Sequence, residues 1–247
     1  MVTAEAELAQ FTLSSVQKEI YWDDRPTLIF IGGRGSGKST AAALRIRGMR
    51  DRGELAGGER IMICGPDYTQ LMDGTVKTFD YWFEDVITHK VDGNKPRRVI
   101  RAIDGGDIEV LCRSGMNPDQ TRSKECRLIW LDEVAQMELA MLELANMNLR
   151  PTGIRPANDT RVFQLILTTT PKGKNALFRL YGKYLMSGDN DDENVGAWRM
   201  TTLQALREGV ASEQYINRII YAPGSQKWKE EIEAEFISMG APLPVCT

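Results

Sequence analysis

The sequence predicts an α/β fold built on a mainly parallel central sheet flanked by helices. Three observations predict it. Short β-rich runs alternate with helical ones along most of the chain. Two of these runs, RLIWLD (127–132) and VFQLILTT (162–169), are near-continuously apolar, as strands buried on both faces of a parallel sheet must be. The first run, TLIFI (27–31), passes through a glycine-rich turn straight into a helical stretch.

In chain order, TLIFI combines β-branched and aromatic residues and predicts the first strand. STAAALRIRGMRDR (39–52) is rich in the good helix formers Ala, Leu and Arg, and RIMIC (60–64) predicts the next strand. DYTQLMDGTVKTFDYWFEDVI (67–87) predicts a long helix. RRVIRAI (97–103), the turn Asp104-Gly105-Gly106 and DIEVLC (107–112) predict a hairpin, and the polar stretch 113–126 a mobile loop. A helix over about 138–149 separates the two apolar strands. After an acidic loop at 187–195, one strand, AWRMTTL (197–203), and two helices, SEQYINRIIYA (212–222) and SQKWKEEIEAEFISM (225–239), predict a small C-terminal helical lid. The chain is thus divided into a core, 1–186, and a lid or linker subdomain, 187–247.

Of the 247 residues, 42% are hydrophobic and 26% charged, as in soluble globular proteins. The longest apolar runs are too short to span a bilayer, and MVTAEAELAQ has neither the basic nor the apolar region of a signal peptide, so neither export nor membrane insertion is expected. Cys64, Cys112, Cys126 and Cys246 lie far apart with no CxxC spacing, which argues against a disulfide framework and fits a reducing cytosol. With His89 as the single histidine, a Cys/His zinc site and a histidine-based triad are excluded, and hydrolysis would have to use carboxylates and a metal. The net charge of −3 gives no overall footprint for nucleic acid. Lys172, Lys174, Arg179 and Lys183 form a local basic run without an acid, either a phosphate contact or a solvated helix face.

Chemistry is written in three places. Gly32-Gly33-Arg34-Gly35-Ser36-Gly37-Lys38-Ser39 matches G-x-x-x-x-G-K-[ST] between a strand and a helix, the phosphate-loop pattern. Its glycines let backbone N–H groups turn in around phosphate oxygens, Lys38 neutralises the β/γ-phosphates, and Ser39 offers a hydroxyl to Mg²⁺, with Thr40 next in the helix. Leu128 to Leu131 lead an apolar strand into Asp132 and Glu133; at the carboxyl end of a parallel sheet Asp132 can hold Mg²⁺ while Glu133 polarises the attacking water. Thr168-Thr169-Thr170-Pro171 puts three hydroxyls at another strand end, able to bond a γ-phosphate or its lytic water, although threonines also simply suit strands.

The chain resembles the N-terminal packaging ATPase of tailed-bacteriophage terminase large subunits. The resemblance rests on GGRGSGKST, on Gln17 in LSSVQKEI, on GPDYTQ (65–70), on WLDE, on TTTPKG (168–173) and on W-x-x-E-I-x-x-E-F (228–236). It implies a P-loop NTPase fold of the ASCE type and an ATP-hydrolysing motor, with ATP as substrate and Mg²⁺ as cofactor, that translocates double-stranded DNA into a procapsid. It further implies that Gln17 reads the adenine edge, that Arg34 reaches the γ-phosphate, that Glu133 is the catalytic carboxylate, and that Thr168, Thr169 and Thr170 form the coupling motif. Arg122, ten residues before Asp132, has the spacing at which some members supply an arginine to the neighbouring subunit; an ordinary loop arginine is the alternative. The portal protein and terminase small subunit are the implied partners, a homo-oligomeric ring the working form, an isolated domain being a monomer, and the host cell cytoplasm the location. The family's nuclease acids are not found in the sequence, so DNA cleavage is not expected. A helicase-like DNA-dependent ATPase and a P-loop nucleotide switch share the same core motifs.

Overall fold

The computed structural model describes residues 11–151, 161–173, 175–187 and 192–237. Lys174, residues 188–191 of the acidic loop, the last residues of the stretch expected as a helix to 239, and Cys246 lie outside the described residues. Among the described residues eight strands form one sheet: β1 (Thr27–Gly32), β2 (Arg60–Gly65), β3 (Ile87–Val91), β4 (Arg97–Arg101), β5 (Asp107–Ser114), β6 (Leu128–Asp132), β7 (Gln164–Thr169) and β8 (Val195–Met200), in the order β3-β4-β5-β2-β6-β7-β1-β8. Strands from β5 to β8 in that order pair parallel, and β3–β4 and β4–β5 pair antiparallel at one side.

Each central strand feeds two cores, because successive side chains point to opposite faces. Leu28, Phe30, Ile61, Ile63, Leu128 and Trp130 pack on one face. There they meet α1 (Ser15–Trp22), α2 (Lys38–Asp51) and α3, the helical run 68–83 in which a π-helical turn, Leu71–Val76, separates Tyr68–Gln70 from Lys77–Phe83. Ile29, Ile31, Met62, Ile129, Leu131 and Leu165 pack on the other face against α4 (Leu139–Asn148) and α5 (Ala176–Ser187). Burial on both faces is why these strands read as continuous apolar runs rather than alternating ones. No helix among the described residues is long and apolar enough to cross a membrane.

Four expectations are corrected. The helix expected over 67–87 ends at Phe83, and Ile87–Val91 forms β3, antiparallel to β4; three of its five residues are exposed, so burial left little mark on the sequence. The polar stretch 113–126 begins as strand, since β5 runs to Ser114, and contains a helical turn at Pro118–Thr121. The sheet also continues past 187: β8 pairs along its whole length with β1, so the elements that follow the sheet are α6 (Thr202–Arg207), α7 (Glu213–Ile216) and α8 (Gln226–Glu231). The last two are much shorter than their patterns suggest. After α7 the apolar residues are not packed against the core, Ile220 being 93% exposed, so burial does not extend the helix. After α8 the carbonyls of Glu231 and Ile232 turn away to accept the N–H groups of Arg34 and Thr202, and Ala234 adopts a left-handed conformation.

Candidate active site

β1 carries the chain to the carboxyl edge of the sheet, and the glycine-rich loop turns it back into α2. Gly35 and Gly37 have φ of 77° and 76°, left-handed values at which a side chain is strained. Space forbids one as well: a Cβ on Gly35 would lie 2.8 Å from the Tyr215 ring and one on Gly37 2.4 Å from Gln17 Nε2. The loop is therefore packed between α1 and the C-terminal segment. That segment also forms its floor, since Gly33 N–H donates to Met200 O (2.9 Å), Arg34 N–H to Glu231 O (2.6 Å) and Thr202 Oγ1 to Arg34 O (2.9 Å).

The side chains of the three motifs converge at the amino end of α2. Lys38 Nζ lies 2.9 Å from Glu133 Oε1, and Ser39 Oγ donates to Asp132 Oδ2 at 3.1 Å. Asp132 and Thr168 are register partners across β6 and β7, which puts Thr168 Oγ1 2.7 Å from Asp132 Oδ1. Thr170 N–H donates to Glu133 Oε2 at 3.1 Å. Thr169 Oγ1 accepts from Ala135 N–H and ties the end of β7 to the turn after β6. In an unbroken strand Asp132 and Glu133 would face opposite ways. Glu133 instead has φ 53° and ψ 41°, a left-handed conformation costing about 1–3 kcal/mol, and the chain turns there so that both carboxylates reach the start of α2.

The two carboxylates are tuned in opposite directions. Burial, reinforced by the neighbouring charge of Glu133, pushes the Asp132 carboxyl above the usual carboxylate range. Burial acts on Glu133 in the same sense, but the ammonium of Lys38 and the N–H of Thr170 outweigh it and hold Glu133 below its ordinary value. Ser36 Oγ is buried in the loop without a hydrogen-bond partner among the described residues, an orphan that a phosphate oxygen would satisfy. Asp132 and Ser39 are the hard oxygen donors that Mg²⁺ takes in small number alongside phosphate and water.

Gln17 is turned to main-chain partners, and Arg122, expected at the nucleotide of a neighbouring subunit, lies away from the phosphate loop of its own chain. Gln17 is only 1% exposed; its Oε1 accepts from Ser14 N–H and its Nε2 donates to Gly37 O, so the amide closes a helix cap and props the loop instead of presenting an edge to a base. Arg122 is exposed and paired with Asp119. Its neighbour Thr121 is tied through its carbonyl to Asn148 at the end of α4, the end remote from the phosphate loop, so the guanidinium is not brought to the nucleotide edge of its own chain. Arg34 is exposed beside the loop, and Thr40 is half-buried in the first turn of α2.

Four further residues, none of them expected as a site residue, contribute to the cluster or its loop. Thr75 Oγ1 donates to Asp132 Oδ2 at 2.8 Å from the π-helical turn of α3, a placement that no sequence pattern announces. Trp130 Nε1 donates to Thr168 Oγ1 at 2.8 Å; its position two residues before Asp132 on a strand, hence on the same face, was the available signal. Tyr215 and Thr202 reach the loop from the far end of the chain.

No family model and no curated protein matches the chain. Among solved structures it is similar to the large terminase ATPase domain of Thermus phage P74-26, with 18% identity, 96% of this chain and 99% of that chain covered, and a TM-score of 0.65. It is similar also to the large terminase of another thermophilic bacteriophage, in complex with ADP (15% identity, 91% and 53% covered, TM-score 0.69). The HK97 bacteriophage large terminase is a third such structure (12% identity, 91% and 50% covered, TM-score 0.63). The chain spans about half the length of these last two proteins. Its eight-stranded, mostly parallel sheet flanked by helices is the P-loop fold of phage large-terminase ATPase domains.

Proposed function

We propose that the chain is an ATP-hydrolysing motor domain that drives translocation of double-stranded DNA into a viral procapsid. The observation that carries this reading is the convergence of Lys38, Ser39, Asp132 and Glu133 at one helix end, with Lys38 and Glu133 in direct contact. In the reaction proposed, the triphosphate of ATP lies along residues 32–39, where backbone N–H groups and the positive end of α2 receive it. Lys38 exchanges Glu133 for the β- and γ-phosphates. Glu133, still held by Thr170 N–H, is then a free carboxylate able to orient and deprotonate the attacking water, which leaves ADP and phosphate. Ser39 and Asp132 would hold Mg²⁺, which supplies neutralisation of phosphate charge. Arg34 would contact the γ-phosphate from the exposed side of the loop.

The change at Glu133 reaches Thr170 and so the segment leading to α5. Coupling through Thr168 to Thr170, and the lid role of α6 to α8, belong to the same proposal. Arg122, unable to serve its own site, would act on the nucleotide of the next subunit in a ring. The portal, the small subunit and a cytoplasmic setting follow from the resemblance to terminases.

The test is steady-state phosphate release, with and without duplex DNA, over a range of protein concentrations. Glu133→Gln should lower turnover about 10²–10⁴-fold while nucleotide binding by calorimetry is retained. Near-parental turnover in that variant would sink the reading, and a parent that binds ATP without turnover would identify a nucleotide switch. Mixing Arg122→Ala with Glu133→Gln subunits should restore activity that neither has alone if Arg122 acts between subunits.

A further inference from the structure

A second charged site lies at the start of α3, the helical run whose Thr75 holds Asp132. A groove of about 610 Å³ opens where the start of α3, the end of β5 and the turn between β3 and β4 meet. Two cations line it, Lys95 from that turn and Arg113 from β5, and none of the described residues lining it is acidic. Arg113 is 8% exposed, and its guanidinium donates through Nη1 to the carbonyls of Pro96 (3.2 Å) and Cys112 (2.7 Å). Neither Arg113 nor Lys95 makes an ion pair among the described residues. The nearby acids are engaged elsewhere: Asp92 with Arg98, Asp119 with Arg122, and Asp67 as the cap of α3.

A buried guanidinium without a counter-ion is costly, and an anion in the groove would complete the bonding that two carbonyls begin. The remaining wall suits an oxyanion carried on a larger group. Asn94, Asn117 and Gln120 offer carboxamide donors, and half-exposed Tyr68 offers an aromatic face and a hydroxyl. We propose that this groove is a phosphate-binding site separate from the phosphate loop, taking either a backbone phosphate of nucleic acid or the phosphate of a free nucleotide, with Arg113 and Lys95 as its charge-bearing contacts. The nucleic-acid source rests on the motor reading above; the free-phosphate source does not. α3 connects the two sites, since Tyr68 and Leu71 line the groove while Thr75, within the π-helical turn, holds Asp132.

The test uses protein saturated with ADP, so that the phosphate loop is filled. Binding of a short fluorescent duplex of mixed sequence is measured by anisotropy as a function of salt, and binding of inorganic phosphate by phosphorus NMR. Lys95→Glu and Arg113→Gln should each weaken binding of one of these probes about 10-fold, and if the probe is DNA the salt dependence should drop by about one ion per variant. Lys77→Glu, the same charge change on an exposed part of α3 outside the groove, should change it less than about twofold. Loss confined to inorganic phosphate identifies the free-phosphate source. Unchanged binding of both probes in both variants overturns the proposal, and Lys95→Glu, at an exposed position, decides alone if Arg113→Gln melts early. ATP hydrolysis without DNA, measured on the same proteins, separates the two ideas: a parent that hydrolyses nothing but whose groove variants lose binding refutes the motor and leaves the groove standing.

Discussion

The phosphate loop and the groove beside α3 both present buried positive charge, but they hold it differently. Lys38 already has a carboxylate partner at 2.9 Å, so an anion reaching it would have to displace Glu133. Among the described residues Arg113 bonds main-chain carbonyls and no carboxylate, so an anion arriving there displaces none of their charge. The difference teaches that pairing sets what binding does. At the loop, binding exchanges one partner for another and thereby frees a base; in the groove, binding adds a partner and changes little else.

Removing Lys38 should expose that exchange most strongly. Lys38→Met should weaken ATP binding about 10–100-fold by calorimetry, because charge-assisted contacts to phosphate are lost. It should also change the pH dependence of stability. In the parent, Glu133 ionises below its ordinary value of 4.5, since Lys38 and Thr170 outweigh burial, so its ionised form stabilises the fold above that pH and the contribution is lost as pH falls through the lower folded value. Without Lys38 burial prevails and that contribution vanishes. The stability advantage of the parent over the variant, from urea unfolding, should be largest near neutral pH and shrink on acidification below 4.5. An advantage independent of pH would mean that the ion pair does not set the Glu133 charge. Asp132 works against this trend in both proteins, because burial and Glu133 raise it and its ionisation opposes folding as pH rises above its ordinary value of 3.8.

A smaller effect tests the neutral side of the same cluster. Thr168→Val removes a donor to Asp132 and orphans Trp130 Nε1, both buried, at a cost of about 1–3 kcal/mol. Thermal melting should show the loss, and Thr168→Ser should recover most of it; equal melting temperatures for Thr168→Val and the parent would contradict the network. The smallest expected effect is at Gln17. Gln17→Ala should cost about 1 kcal/mol through the lost bonds of its amide to Ser14 N–H and Gly37 O, the Ser14 cap itself being kept, while leaving the ratio of ATP to GTP affinity within about twofold. A collapse of that ratio would restore the adenine-reading role that the geometry withholds.

Much of this was legible in the sequence, for identifiable reasons. β1, the phosphate loop and α2 carry a motif whose glycines and lysine have backbone consequences, and β6 and β7 are apolar enough to declare themselves as central strands. What was not legible depends on partners. β3 is exposed at the sheet edge and exists because β4 satisfies its backbone. The π-helical turn that brings Thr75 to Asp132 has no compositional marker. Gln17 does lie against the loop, yet its direction is decided by Ser14 and Gly37, which periodicity cannot weigh. The left-handed Glu133 lies one residue past the end of β6, where alternation along a strand no longer applies.

The position of β1 has a consequence for how the molecule comes into being. Both its neighbours in the sheet, β7 and β8, are encoded far downstream, and the hydroxyl that holds Arg34 O belongs to Thr202, 168 residues later. A ribosome therefore releases β1 with both edges bare, and the nascent chain carries an apolar, unpaired strand until β7 and β8 have emerged. The phosphate loop is among the last features to close, although its motif is among the first to be synthesised. A chain halted before Thr202 would contain every residue of the phosphate loop and lack the floor on which it rests.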